Sequence, residues 1–140
     1  MKKSILFFLL FCFILVFASC KNDEQEIRDL ITNYQNAVNE YDKEKISSFF
    51  EDPDDLYFTF LILDSYRAQG LIPQYKIDVL KVETYGTTAE AKLKTRLTFK
   101  GDDASTIAAF NLFTPSVFNS TTTLSKDSGK WKIICEEMEQ

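Results

Sequence analysis

The chain has 140 residues, with 16 Lys plus Arg against 21 Asp plus Glu, no His, and a formal net charge of −5. That length supports one domain around one core, and an acidic balance without a dense basic surface argues against nucleic acid as a partner. With no imidazole in the chain, Ser-His-Asp and Cys-His nucleophile systems, histidine-ligated zinc and imidazole-based dehydratases or deaminases are excluded.

Met1-Lys2-Lys3 is a short basic start, residues 5–18 are unbroken apolar sequence, and Ala18-Ser19 are the small residues that precede a leader cleavage site. A helix over that apolar run would span about 21 Å at ~1.5 Å per residue, short of the roughly 30 Å hydrocarbon core of a bilayer. A cleaved leader therefore fits better than a permanent transmembrane helix. Phe17-Ala18-Ser19-Cys20 resembles the lipobox of bacterial lipoproteins, with Phe17 where Leu is usual. The resemblance implies a signal peptide over 1–19, acyl chains on Cys20, a lipidated tether over 20–25 and a domain over 26–140. It also implies a bacterial cell-envelope address, lipid-anchored at the outer membrane or cell surface, because two or three acyl chains hold a protein stably on a bilayer. An ordinary secretory cut that leaves Cys20 in a flexible start is the alternative. Lys21-Asn22-Asp23-Glu24 is similar to the surface-export tag of some Gram-negative lipoproteins, or else is a solvated linker.

Cys12 leaves with the leader and Cys20 is committed to lipid, so Cys135 is the lone thiol of the domain and no intradomain disulfide forms. A small buried hydrophobe is expected there, since Glu136-Glu137 beside it oppose an activated thiolate.

From Asp23 to Tyr41 the apolar positions Ile27, Leu30, Ile31, Tyr34, Val38 and Tyr41 recur three or four apart, which predicts one amphipathic helix with acids in its first turn. Asp42 caps a shorter helix bearing Ile46, Phe49 and Phe50. Asp52-Pro53-Asp54-Asp55 starts a third helix and Gly70 stops it. Its apolar residues, Leu56, Tyr57, Phe58, Phe60 to Leu63 and Tyr66, surround most of the cylinder and predict burial on more than one side; a strand over Leu56 to Leu63 competes, and the helix punctuation at both ends decides against it. Capping accounts for the Asp cluster, which lacks the spaced oxygen ligands of a calcium loop; no metal site is expected.

After Pro73 the period becomes two. Tyr75, Ile77 and Val79 lead through a bulge to Leu80, Val82 and Thr84. Ala89 to Phe99 alternates apolar residues with Glu90, Lys92, Lys94 and Arg96, the clearest strand of the chain. Residues 104–116 read as an irregular cover or edge strand interrupted by Pro115. Val117 to Ser125 is a hydroxyl-rich strand, Lys126-Asp127-Ser128-Gly129 a hairpin turn, and Lys130 to Met138 a closing strand with Trp131, Ile133 and Cys135 on one face.

Helices followed by a curved antiparallel sheet make an α+β fold in which the helices cover one sheet face, a cone. The phrases Glu26-Ile27-Arg28-Asp29-Leu30-Ile31 through Tyr34, Tyr41-Asp42-Lys43-Glu44-Lys45-Ile46 and Asp127-Ser128-Gly129-Lys130-Trp131-Lys132-Ile133 are similar to the nuclear transport factor 2-like family, the cystatin-like or ketosteroid-isomerase-like cone. That resemblance, over about 24–138, implies the fold more than an activity. A strand often follows the second helix in that family, whereas here a helix does, and its aromatics can fill the mouth of the cone.

Three roles follow. One is a non-catalytic cone for a small apolar ligand or an envelope protein, with Tyr34, Phe60 and Trp131 as walls and Asn119, Thr121 and Thr123 as polar contacts; simple core packing of the same aromatics is the alternative. A second is an isomerase- or cyclase-type enzyme with Asp64 as a buried carboxylate base, against which stands an ordinary surface pair between Asp64 and Arg67. The third is structural assembly, including a homodimer through the free sheet face, which the like charges Lys92, Lys94 and Arg96 disfavour. No cofactor is expected.

Overall fold

The computed structural model describes residues 22–113 and 117–139. The expectations for the leader and for Cys20 lie outside the described residues. Residues 22–40 form helix α1, which already covers the stretch assigned to the end of the tether; Ile27 and Ile31 are buried on the face that their spacing predicts. It ends in a Schellman turn: Asp42 N–H bonds Ala37 O at 3.0 Å and Tyr41 N–H bonds Val38 O at 3.1 Å, with Tyr41 at φ 59°. Helix α2 (Lys43–Ser48) starts on Asp42, whose carboxylate accepts from Lys45 N–H at 3.0 Å.

Asp52 caps the next segment through Asp54 N–H, a 3-10 turn runs over Pro53–Leu56, and α3 (Tyr57–Ala68) continues to Gly70, at φ 73°. The helix assignment holds; its predicted burial does not. Leu63 is the buried residue of α3, whereas Phe58 is 71% and Leu61 52% exposed. The helix lies across one end of the cone against the 3-10 turn and β1, with no second layer over its outer side among the described residues.

Strands β1 (Ile72–Tyr85), β2 (Thr88–Lys100), β3 (Val117–Asp127) and β4 (Lys130–Met138) form one sheet in that order, each antiparallel to the next. In β2 the inner positions from Ala89 to Phe99 are all buried and Lys92, Lys94 and Arg96 face outward, as the alternation predicts. The bulge in β1 falls between Val79 and Lys81, so Leu80 is pushed out to 57% exposure while Ile77, Val79 and Val82 stay on the core. Ser128 and Gly129 both have positive φ, which gives the β3–β4 hairpin its primed turn.

Residues 104–113, read from sequence as an irregular cover or edge strand, form a helix, α4 (Ala104–Phe113). Its start is capped by Asp103, whose carboxylate accepts from Ser105 N–H at 3.0 Å and from the Ser105 and Thr106 hydroxyls. Those donors hold the Asp103 carboxyl down at about 2. Ile107 and Phe110, three apart, then pack on Leu71, Leu97 and Phe99, and Phe110 meets Phe99 and Tyr66 edge to face.

Each sheet edge is partly covered. Along β1, side chains of α1 satisfy the outward backbone: Arg28 donates to Val79 O at 3.0 Å, Gln35 accepts from Ile77 N–H at 2.6 Å, and Asn39 both donates to Tyr75 O and accepts from Tyr75 N–H. Along β4, Ile133 N–H bonds Phe49 O and Glu51 N–H bonds Ile133 O. An unpaired edge invites another chain, and here neither is left open at these positions.

Candidate functional site

A second bulge sets the site. In the β3–β4 ladder Leu124 pairs with Ile133 but Thr123 pairs with Cys135, so Ile134 is the extra residue. Beyond it the faces of β4 exchange: Ile133 points to the core, Cys135 is exposed, and Glu136, opposite the buried Thr122, turns inward. The expectation that Cys135 is buried beside Trp131 and Ile133 is thus corrected, because strict alternation does not survive an inserted residue.

Between α1, α3 and the concave end of the sheet lies an open cavity of about 540 Å³. Tyr34 and Val38 of α1 form one wall, and Thr59, Ile62 and Leu63 of α3 form the opposite one. Tyr75, Ile77 and Thr95 supply the floor, and Phe118, Glu136 and Met138 complete the sheet side. The helix that was expected to fill the mouth instead turns Tyr57 and Phe58 out to solvent, so the cone stays open.

Glu136 is the one charged group among the described lining residues. Ser120, fully buried, donates its hydroxyl to Glu136 Oε1 at 2.6 Å and fixes the carboxylate at the sheet wall. The hydroxyl of buried Thr122, its cross-strand neighbour, has no hydrogen-bond partner among the described residues. Burial, with Glu136 and then Tyr75 nearby, pushes the Tyr34 phenol far above its ordinary value. Tyr75 is pushed up to about 12 by burial, then by Tyr66 and Glu136. Two phenols that stay neutral thus stand near one carboxylate.

Of the residues singled out from sequence, Tyr34 lines this cavity. Phe60 packs against the Ala37–Leu63 core with Lys43 Nζ 5.4 Å from its ring centre. Asn119, Thr121 and Thr123 pair with Lys94, Lys92 and Glu90 on the convex face, one step out of phase with the inner positions Ser120, Thr122 and Leu124. Trp131 is buried at the hairpin end, where its Nε1–H reaches Asp23 and Lys126 bridges Asp23 and Glu26. Those two carboxylates hold the Lys126 ammonium above its usual range. Asp64 points away from the cavity and pairs with Lys43 at 2.9 Å, both side chains nearly half exposed. Arg67, its expected partner, instead stacks on the Tyr41 ring at 4.0 Å. Glu136 was missed because the sequence carries no sign of the bulge that turns it inward.

Among the described residues no group of three or more acidic, Cys or His side chains is placed to hold a metal, and no helix is long and apolar enough to cross a membrane. No family model matches the chain, and no curated protein resembles it in sequence. Solved structures do match in shape. An NTF-2 like protein of unknown function from Shewanella oneidensis superposes with a TM-score of 0.64 at 13% identity, over 84% of this chain and 99% of its own. A function-unknown protein from Mycobacterium tuberculosis gives 0.64 at 14% identity, over 87% of this chain and 73% of its own. A protein of unknown function with a cystatin-like fold from Nostoc punctiforme gives 0.60 at 14%, over 84% and 90%. Identities this low speak for architecture alone. The chain therefore has the nuclear transport factor 2-like, or cystatin-like, α+β fold, its helices packed on a four-stranded antiparallel sheet.

Proposed function

We propose that the chain is a lipid-anchored envelope protein whose cone holds a small molecule by its apolar part without transforming it. The observation that carries the binding role is the open cavity of about 540 Å³, within the size of ordinary small-molecule sites and walled mostly by apolar and aromatic side chains with a few polar groups. A packed core would have closed it. The non-catalytic reading rests on the acids present: Asp64 lies outside in a surface ion pair, and Glu136 is exposed at the cavity wall, without the dry enclosure that a carboxylate base needs. The anchor rests on Phe17-Ala18-Ser19-Cys20 following the apolar run.

Two measurements test the two halves. The uncharged dye N-phenyl-1-naphthylamine, which brightens on leaving water, is expected to show saturable enhancement with the protein and to lose it in Thr59→Trp, which narrows the cavity from α3. No saturable enhancement, or the same enhancement in both proteins, refutes the binding role. Labelled fatty acid fed to producing cells is expected in the wild-type protein and absent from Cys20→Ser; equal labelling of the two, or none in either, refutes the anchor.

A further inference from the structure

We infer that the molecule held in the cone is a cationic amphipath, an organic ammonium whose nitrogen pairs with the Glu136 carboxylate while its hydrocarbon fills the cavity. The inference deepens the proposed binding role and rests on it. Three observations select this class. First, the described lining contains one carboxylate and no Lys or Arg, and the chain has no His. An anionic ligand would set a second negative charge beside Glu136 with no Lys or Arg in the lining to balance it, and a purely apolar one would leave the carboxylate unpaired wherever it covers it. Second, the carboxylate is held in place: Ser120, buried in β3, donates to one of its oxygens at 2.6 Å and leaves the other free. Third, aromatic rings of Tyr34, Phe50, Tyr75 and Phe118 line the same space, and ring faces attract an organic cation more strongly once water is excluded. The segment joining lining residues Phe50 and Leu56 adds Glu51, Asp52 and Asp54, which bias the field near the cavity the same way.

The test is displacement of bound N-phenyl-1-naphthylamine from the full chain by three compounds of equal tail length: nonyltrimethylammonium, nonanol and nonanoate. The ammonium is expected to compete about tenfold or more better than the alcohol, and the alcohol better than the carboxylate. Added salt should weaken the ammonium and leave the alcohol unchanged. In Glu136→Gln the ratio of ammonium to alcohol should fall to near unity. An ammonium no better than the alcohol in the wild type, or an ammonium preference that persists in Glu136→Gln, overturns the cation assignment while the apolar cone stands. Failure of the dye itself to bind defeats the cone and the assignment together, so the two failures are told apart. The wild-type comparison decides the matter even if the variant does not fold.

Discussion

Helix α3 offers a controlled comparison, because Leu61 and Leu63 sit two positions apart in it and differ in burial, 52% against 2% exposed. Replacing either by Ala changes the same side chain in the same helix interior, so the small propensity term cancels in the difference. For Leu63, which packs with Ala37, Val38, Ile46 and Leu56, loss of burial and the cavity left behind should cost about 2–5 kcal/mol. Leu61 has about half of its surface in water already and leaves no enclosed void, so about half of the roughly 1.5–3 kcal/mol for burying a Leu is the upper bound. The expected gap is about 2 kcal/mol, with Leu63→Ala the worse. At a urea slope of roughly 1–3 kcal/mol per molar, that separates the two unfolding midpoints by roughly 1 M. Equal losses in equilibrium urea unfolding would refute the reasoning, since they would mean that the helix is enclosed on both sides, as its composition alone suggested.

Asn39→Ala should cost about 1–3 kcal/mol, because Asn39 satisfies both backbone groups of Tyr75 at the β1 edge and the loss leaves them unpaired; urea midpoints measure it, and a neutral outcome would mean that water replaces the side chain freely. Gly101→Ala should lower stability by about 1–3 kcal/mol despite the mild change, since its new Cβ would fall on the Gly70 backbone carbonyl where the ends of α3 and β2 meet; thermal unfolding measures it, and an unchanged midpoint refutes the close approach. An alkaline titration followed by tyrosinate absorbance should leave Tyr75 unionised until about pH 12 and hold Tyr34 back longer still. Because burial raises the folded pKa of both above the ordinary value of roughly 10, their contribution is intact below that pH and is lost as pH rises toward 12. Stability should therefore fall across that window and fall less in Tyr34→Phe, and a flat profile contradicts their enclosure.

Local patterns reached far into this fold. The spacing of Ile27, Ile31 and Val38 placed α1 and its buried face, Asp42 and Asp52 marked the next two starts, and the alternation from Ala89 to Phe99 fixed which face of β2 is core. The α4 signal was also present, in a cap at Asp103, Ile107 and Phe110 three apart and Pro115 beyond. It was outweighed by Pro115, which was read as interrupting the segment when it lies beyond the end of the helix. In β3 the hydroxyls were recognised, but their phase was not: Asn119, Thr121 and Thr123 look as suited to a pocket as Ser120 and Thr122 until the pairing with β2 decides which set turns inward.

What the sequence determined alone was the composition of the chemistry and the period of each element, because helix and strand repeats are written in neighbouring residues. Whether an apolar helix is covered, and which acid enters the cavity, depends on segments far apart in the chain. Residue 63 is buried by residues 37–56, and Glu136 faces the cavity because one extra residue at Ile134 shifts β4 against β3. Only tertiary structure decided that Asp64 belongs to the surface and Glu136 to the site, since a carboxylate's role follows from what surrounds it and not from its place in the chain.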